Sequence, residues 1–330
     1  MSNYIGIDIG GTKIAAALVQ EDGTVRRVET CRTPAKDGAA AVLYATIRLA
    51  HQLIDDTSEP IAGIGVGSGG QIDSRTGVVV FASELLPGWT GTPLRKALTD
   101  ALGLPVYVDN DVNALAAGEA RFGVARGHDT VLFLALGTGV GGALLINGRI
   151  HHGEHWTGAE FGHILLSIDP KARRDAGGSV GTLEAYVSGH GLVATYKELA
   201  PDARRRMSGE EIANDALNHP EGPAAAAIAL TGEYLGYGLV TLANAIDPSL
   251  IVIGGGMSAL GDRLLNPARR IFASRALPGP AKAAIRTTSL GPQASVIGAA
   301  ALAMDNTTQT VDETLIQFTR HGSPAVTGTV

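Results

Sequence analysis

A chain of 330 residues with 45% hydrophobic and 18% charged positions is composed as a folded globule of two domains, not as a disordered or fibrous chain. Its formal net charge of −6 speaks against a general nucleic-acid binder, which needs a basic face for phosphates. The single cysteine, Cys31, excludes an intrachain disulfide framework and fits a reducing, cytoplasmic setting, and neither a leader nor an apolar span of bilayer length is read from the sequence, so no membrane partner is expected.

In chain order, the opening "YIGIDIGGTKIAAALVQEDGTVRRVE" is three short apolar runs joined by a Gly-Gly and an Asp-Gly turn, which reads as antiparallel hairpins. Helical periodicity follows from about Asp37 to Asp56, then "IAGIGVGS" as a buried strand. "SELLPGWTGTPL" supplies a Trp-Gly loop able to frame a sugar, "TPLRKALTDALG" a helix with a Thr start and a Gly stop, and "PVYVDND" another strand. The segment "TVLFLALGTGVGGALLINGRIHHG" then repeats the opening order of strand, glycine turn, strand, Asn-Gly turn and strand. After it come a long apolar helix, "GPAAAAIALTGEYLGYGLVTLANAI", a buried strand, "SLIVIGGG", and a closing helix, "ASVIGAAALAM". The expected fold is therefore α/β and internally duplicated: two lobes, each with a mixed sheet, and ligands held between them where strand ends and glycine turns face one another. The boundaries read as 1–120 for the first lobe and 121–304 for the second, with the helix at 295–304 packing back on the first and 305–330 forming a loosely attached tail.

Three glycine turns end strands. In "DIGGTK", Gly10 and Gly11 open the backbone to an anion while Thr12 and Lys13 add donors, a combination suited to phosphate and equally compatible with an ordinary hairpin turn. Gly137, Thr138 and Gly139 of "LGTGVGG" form a second turn of this type, and Gly254, Gly255 and Gly256 of "VIGGGMS" a third. Three such turns on separate strand ends favour a nucleotide. At "VDNDVNALAAGE", Asp109, Asn110 and Asp111 stand where a strand gives way to a helix. One of them serves as the helix cap, and three exceed what a cap needs.

The stretch "EFGHILLSIDPKARRDAGGSVGTLE" pairs Glu160 with His163, an arrangement that suits zinc, but zinc takes four ligands and prefers thiolate or imidazole, and no cysteine is near. The ordered motifs "DIGGTK", "LPGWTGTPL", "NDVNALAAGE", "LGTGVGG", "EFGH", "GTLEAYVSG" and "IVIGGGMS" together resemble the ROK family of sugar kinases and related repressors, within the actin-like ATPase superfamily. The likeness runs from about Tyr4 to Met304. It implies an ATP-dependent hexose kinase with Asp111 as general base, and with Gly69, Asn110, Glu160, His163 and Glu184 on the sugar. It further implies Gly10, Gly11, Thr12, Lys13, Gly137, Thr138 and Gly139 at the phosphates, Gly254–Gly256 near the adenosine, and Asp8 helping to place Mg²⁺ through water. A homodimer and closure of the two lobes over the sugar are family expectations.

Where this chain departs from the family is the zinc loop. Relatives carry three thiolates that join the histidine of the ExGH motif, whereas the matching positions here are Asp175, Gly177 and Thr182, so no structural zinc is expected. Packing of Leu183, or pairing among Arg173, Arg174 and Asp175, are the substitutes considered. The resemblance implies glucose phosphorylated at its 6-hydroxyl, with N-acetylglucosamine, N-acetylmannosamine or fructose as alternatives, since "SGG" at Ser68–Gly70 stands where many relatives have Pro-Gly. Polyphosphate is an alternative donor. A non-catalytic sugar sensor is the reading from another class, and a DNA-binding repressor is disfavoured because the first phosphate loop begins at Asp8 and the charge is acidic.

Overall fold

The computed structural model describes residues 2–83, 85–202 and 207–321, with side chains to residue 307. The chain forms two compact units, Met1–Gly118 with Pro292–Val330, and Glu119–Gly291.

The first unit begins with strands β1 (Asn3–Ile9), β2 (Lys13–Gln20) and β3 (Val25–Arg32), then helix α1 (Ala39–Asp55) and strand β4 (Ile61–Ser68). A small hairpin of β5 (Gln71–Asp73) and β6 (Val78–Phe81) precedes α2 (Leu94–Leu102), β7 (Val106–Asn110) and α3 (Asp111–Phe122). The main sheet has the order β3-β2-β1-β4-β7, antiparallel through its first three strands and parallel through β1, β4 and β7. Alternation along β1 sends Ile5, Ile7 and Ile9 into a core shared with Val42, Leu49 and Leu53 of α1 and Leu94 and Leu98 of α2. Helix α2 starts one residue beyond Pro93, not on a threonine cap, and stops at Gly103 in the left-handed conformation as the sequence indicates.

In the second unit β8 (Val131–Leu136), β9 (Val140–Ile146) and β10 (Arg149–Ile150) lead through a long loop to α4 (Glu184–Val187), α5 (Gly189–Leu199) and α6 (Gly209–Asn218). Then come α7 (Pro223–Ile246), β11 (Leu250–Gly254), α8 (Asp262–Arg275) and β12 (Ala284–Thr287), before α9 (Ala294–His321), which is counted with the first unit. The sheet order β10-β9-β8-β11-β12 reproduces the first sheet strand for strand. The duplication read from the repeated glycine-turn pattern is real.

Two sequence expectations change. Helix α7, at 24 residues, is by length and composition apolar enough to cross a membrane, contrary to the reading that no such span exists. Its apolar face, Ala227, Ile228, Leu235, Leu239 and Leu242, is nonetheless buried in the core of the second unit with Leu264 and Phe272 of α8. The closing helix also continues beyond Met304, to His321, where the sequence suggested a tail; positions 322–330 of that tail lie outside the described residues.

Helix α9 lies on the face of β1 and β4 opposite α1. Gly6 and Gly65 make this possible, because a Cβ on either would overlap the backbone carbonyl of Val296 or Ala299. Asp8, two residues after Gly6 and hence on the same face, is thereby brought to Ser295.

Candidate active site

In the first unit the parallel register places Ile9 opposite Ser68, and Ser68 opposite Asn110. The segments leaving these strand ends, Gly10–Lys13, Gly69–Gly70 and Asp111, therefore stand side by side on the carboxyl edge of the sheet, where α/β sheets hold ligands. The glycine turn is held from outside. The Gly10 carbonyl accepts from the Thr33 hydroxyl at 2.6 Å and the Thr12 carbonyl from the Thr33 amide at 3.0 Å. Thr12 and Lys13 are exposed. Beside the turn opens a cavity of about 730 Å³ lined in part by Gly11, Thr12, Arg32 and Lys36. The two cations suit an anion, and sequence reasoning did not single them out.

Asp8 is largely enclosed. Burial pushes its carboxyl above the ordinary carboxylate range, with the Ser295 hydrogen bond and the Lys13 ammonium opposing the shift. An ionised carboxylate kept here at neutral pH is thus under-compensated by its protein partners, an environment that a nearby divalent cation would relieve.

The polar trio at the start of α3 divides its labour. Asn110 Oδ1 accepts from the amides of Val112 at 2.9 Å and Asn113 at 3.3 Å, the helix-capping role. Its Nδ2 donates to the Gly70 carbonyl at 2.9 Å, which ties the ends of β4 and β7 together. Asp109 is buried and accepts from Asn113 Nδ2 at 2.8 Å. Asp111 is the first helical residue, half-buried, with Oδ1 accepting from the Val112 amide at 2.9 Å.

Trp89 does not frame an open site. Its side chain is fully buried in the first core, and its indole N–H donates to Ser68 Oγ at 3.0 Å. The aromatic next to a glycine reads as an exposed loop residue, but a polar partner at the end of β4 lets the ring be buried with its N–H satisfied.

In the second unit, β11 runs parallel to β8 with Gly254 opposite Ala135, so the turns Gly137–Gly139 and Gly254–Gly256 leave neighbouring strands at the same edge. Gly137 N–H donates to the Gly139 carbonyl at 2.9 Å, and the Gly137 carbonyl accepts from Gly189 at the start of α5 at 2.8 Å. Glu184, first residue of α4, joins this turn: its Oε2 accepts from the Val140 amide at 2.8 Å, and a Cβ on Gly139 would lie only 2.6 Å from that oxygen. A side chain at position 139 would push the carboxylate away from the turn. The Phe161–His163 turn packs on β9 through buried Phe161, and Gly162 abuts Val140. The Phe161–His163 turn and Glu184 thus meet at the first residue of β9, with the His163 side chain 53% exposed.

The loop from 164 to 183 does not suit zinc. Gly177 offers no donor side chain, and the Thr182 hydroxyl donates to Asp175 Oδ2 at 2.9 Å. His163 and Asp175 alone cannot make a closed tetrahedral site, and among the described residues no three His, Cys, Asp or Glu side chains group as metal ligands. Of the substitutes considered, Leu183 is fully buried as suggested. The arginines, however, do not serve Asp175: Arg173 pairs with Glu198 at 2.6 Å and Arg174 donates to the Gly178 carbonyl at 2.8 Å.

Comparison with known proteins adds the following. The model of the ROK family matches residues 4–306. A glucokinase of Halalkalibacterium halodurans is 35% identical over 312 residues, covering 89% of this chain and 93% of that protein. An N-acetyl-D-glucosamine kinase of Yersinia enterocolitica is 33% identical over 264 residues, covering 77% and 84%. The crystal structure of a ROK family glucokinase from Streptomyces griseus in complex with glucose and AMPPNP aligns with a TM-score of 0.78 at 32% identity, covering 92% of this chain and all (100%) of that one.

Proposed function

Because this chain belongs to the ROK family and is an ATP-dependent sugar kinase, we propose that it is a glucokinase, transferring phosphate to the 6-hydroxyl of glucose in the cytoplasm, with Asp111 as general base. The observation that carries the base assignment is the division of labour at the start of α3. Asn110 supplies the helix cap, and Asp111 stands beside it on the strand-end edge that also holds Gly69 and the Gly10–Lys13 turn.

The chemistry needs little more than alignment. Phosphoryl transfer through a loose transition state asks for an in-line hydroxyl and neutralised charge, so a carboxylate far less basic than an alkoxide accepts the proton late. Asp111 would take that proton while Asn110, Gly69, Glu160, His163 and Glu184 orient the sugar hydroxyls. The amides of Gly10, Gly11, Gly137 and Gly139, with Thr12, Lys13 and Thr138, would face the phosphates, and Gly254–Gly256 the adenosine. Mg²⁺, when bound with the nucleotide, neutralises charge on the phosphoryl oxygens; the under-compensated carboxyl of Asp8 fits a place beside it through water. Assembly as a homodimer is part of this proposal.

Glucose is favoured by a glucokinase relative at 35% identity and by the glucose complex of a structural neighbour. The second reading, an N-acetylhexosamine kinase, is favoured by the Yersinia relative at 33%. These sugars differ at one or two positions, a discrimination set by pocket contacts. Coupled ADP release with glucose, N-acetylglucosamine, N-acetylmannosamine and fructose is the test. The highest kcat/KM is expected for glucose; a higher value for either N-acetylated sugar would replace the glucose assignment, and silence toward all four would favour the sensor reading.

A further inference from the structure

After His163 the chain runs out to a turn and returns to Glu184 along itself. The Leu183 amide donates to the Ile164 carbonyl at 2.8 Å, the Leu166 amide to Gly181 at 2.8 Å and the Gly181 amide to Arg173 at 2.8 Å. Asp175 sits in the far turn and folds its carboxylate inward, with no side-chain exposure at all (0%). Oδ1 accepts from the Ser179 amide at 2.9 Å. Oδ2 accepts from the Thr182 hydroxyl at 2.9 Å and faces His163 Nδ1 at 3.5 Å. Thr182 is itself buried, and its Oγ1 accepts from the Ala185 amide at 3.4 Å, in the turn that begins α4.

A buried carboxylate is retained only where its oxygens are paired. Here the pairing links two groups that the proposed function sets on the sugar: the His163 ring directly, and Glu184 through Thr182, two residues before it. We infer that Asp175 is a positioning residue, whose carboxylate, 3.5 Å from Nδ1, favours the His163 tautomer with Nδ1–H toward it and Nε2 toward the sugar, and so does electrostatically what a metal would do in a loop of this path. A carboxylate behind an imidazole sets its tautomer and ring orientation in the same way in other sites. The outer side of the loop is fastened separately. The Arg173 guanidinium lies 4.9 Å from the Tyr186 ring centre and 5.6 Å from that of Tyr234, and donates to Thr195 Oγ1 at 2.8 Å. The loop's attachment therefore does not depend on Asp175 alone.

The inference rests on the sugar-kinase reading for its kinetic consequence but not for its structural one. Asp175→Asn keeps the shape but removes the negative charge and leaves a single carbonyl oxygen, so that with the Ser179 amide still on Oδ1 an NH2 donor faces His163 Nδ1. It is expected to lower kcat/KM for the sugar about 10- to 100-fold, the usual effect of losing an outer partner of a site histidine, with KM for ATP changed less than about twofold. Thr182→Val, which removes the hydroxyl donor to Asp175 together with the weak acceptor of the Ala185 amide, should move the same constant in the same direction by less. The imidazole ¹⁵N shifts of His163, assigned from the signal missing in His163→Gln, report the tautomer without substrate. The wild type should show Nδ1–H, and Asp175→Asn should lose that preference. An unchanged His163 tautomer in Asp175→Asn would overturn the inference, as would equal losses toward sugar and ATP. Wild-type protein inert toward every sugar would instead overturn the proposed function and leave the tautomer result standing.

Discussion

Replacing Asp111 with Asn is expected to lower kcat for sugar phosphorylation by about 10²- to 10⁴-fold, the usual contribution of a positioned general base, while KM for the sugar moves no more than a few-fold. At 1.36 kcal/mol per decade this is roughly 3–5 kcal/mol of lost transition-state stabilisation. The substitution keeps the backbone contact that the carboxylate makes at the helix start. The Oδ1 that accepts from the Val112 amide remains a carbonyl oxygen in Asn, and the cap is held by Asn110. What disappears is the basic oxygen and the negative charge. Steady-state kinetics with the preferred sugar measure it. Turnover within a few-fold of wild type would transfer the base role elsewhere.

The largest effect on stability is expected at Gly65. A Cβ there would penetrate the Ala299 carbonyl and press on the amide of Ala303. Those are backbone atoms of a helix, so no rotamer change relieves the overlap. Helix α9 would have to lift from β1 and β4, opening the packing of Val296, Ala299, Ala300 and Ala303, all buried. Overpacking a core costs about 1–3 kcal/mol and more where backbone must move, so Gly65→Ala should sit at or above the top of that range. A fall in melting temperature on the order of 6–12 °C follows for a unit of this size. A melting temperature within a degree or two of wild type would mean that α9 does not rest on the sheet as described. Because Asp8 reaches Ser295 on the same helix, the variant should also lose activity beyond its loss of folded protein.

The architecture was legible because its signals are local. Strand, glycine turn and strand repeat within the chain, and the two sheets follow with matching order. Strand ends carrying Gly10, Gly69 and Asp111 could be identified from alternation and turn residues alone, and the parallel register then brought them to one edge. What stayed hidden depends on contacts distant in sequence. Trp89 is buried because Ser68, 21 residues earlier, accepts its indole N–H. Asn110, not Asp111, is the cap, a choice between adjacent polar residues that the sequence leaves open. The Asp175 hub was missed for a similar reason. Its partners Ser179, Thr182 and His163 meet only after the loop doubles back, and a search for charge pairs pointed to the neighbouring arginines instead. Arg32 and Lys36 escaped notice because each looks like an ordinary surface cation until the turn at Thr12 is set beside them.

The central claim, that this chain phosphorylates glucose at the 6-hydroxyl with ATP, is tested most directly by ³¹P NMR of protein, glucose and Mg-ATP. The expected result is a phosphomonoester signal coupled to the two C6 protons of glucose, growing in step with ADP. ADP appearing with inorganic phosphate alone, or no change in the ATP signals, would contradict the account.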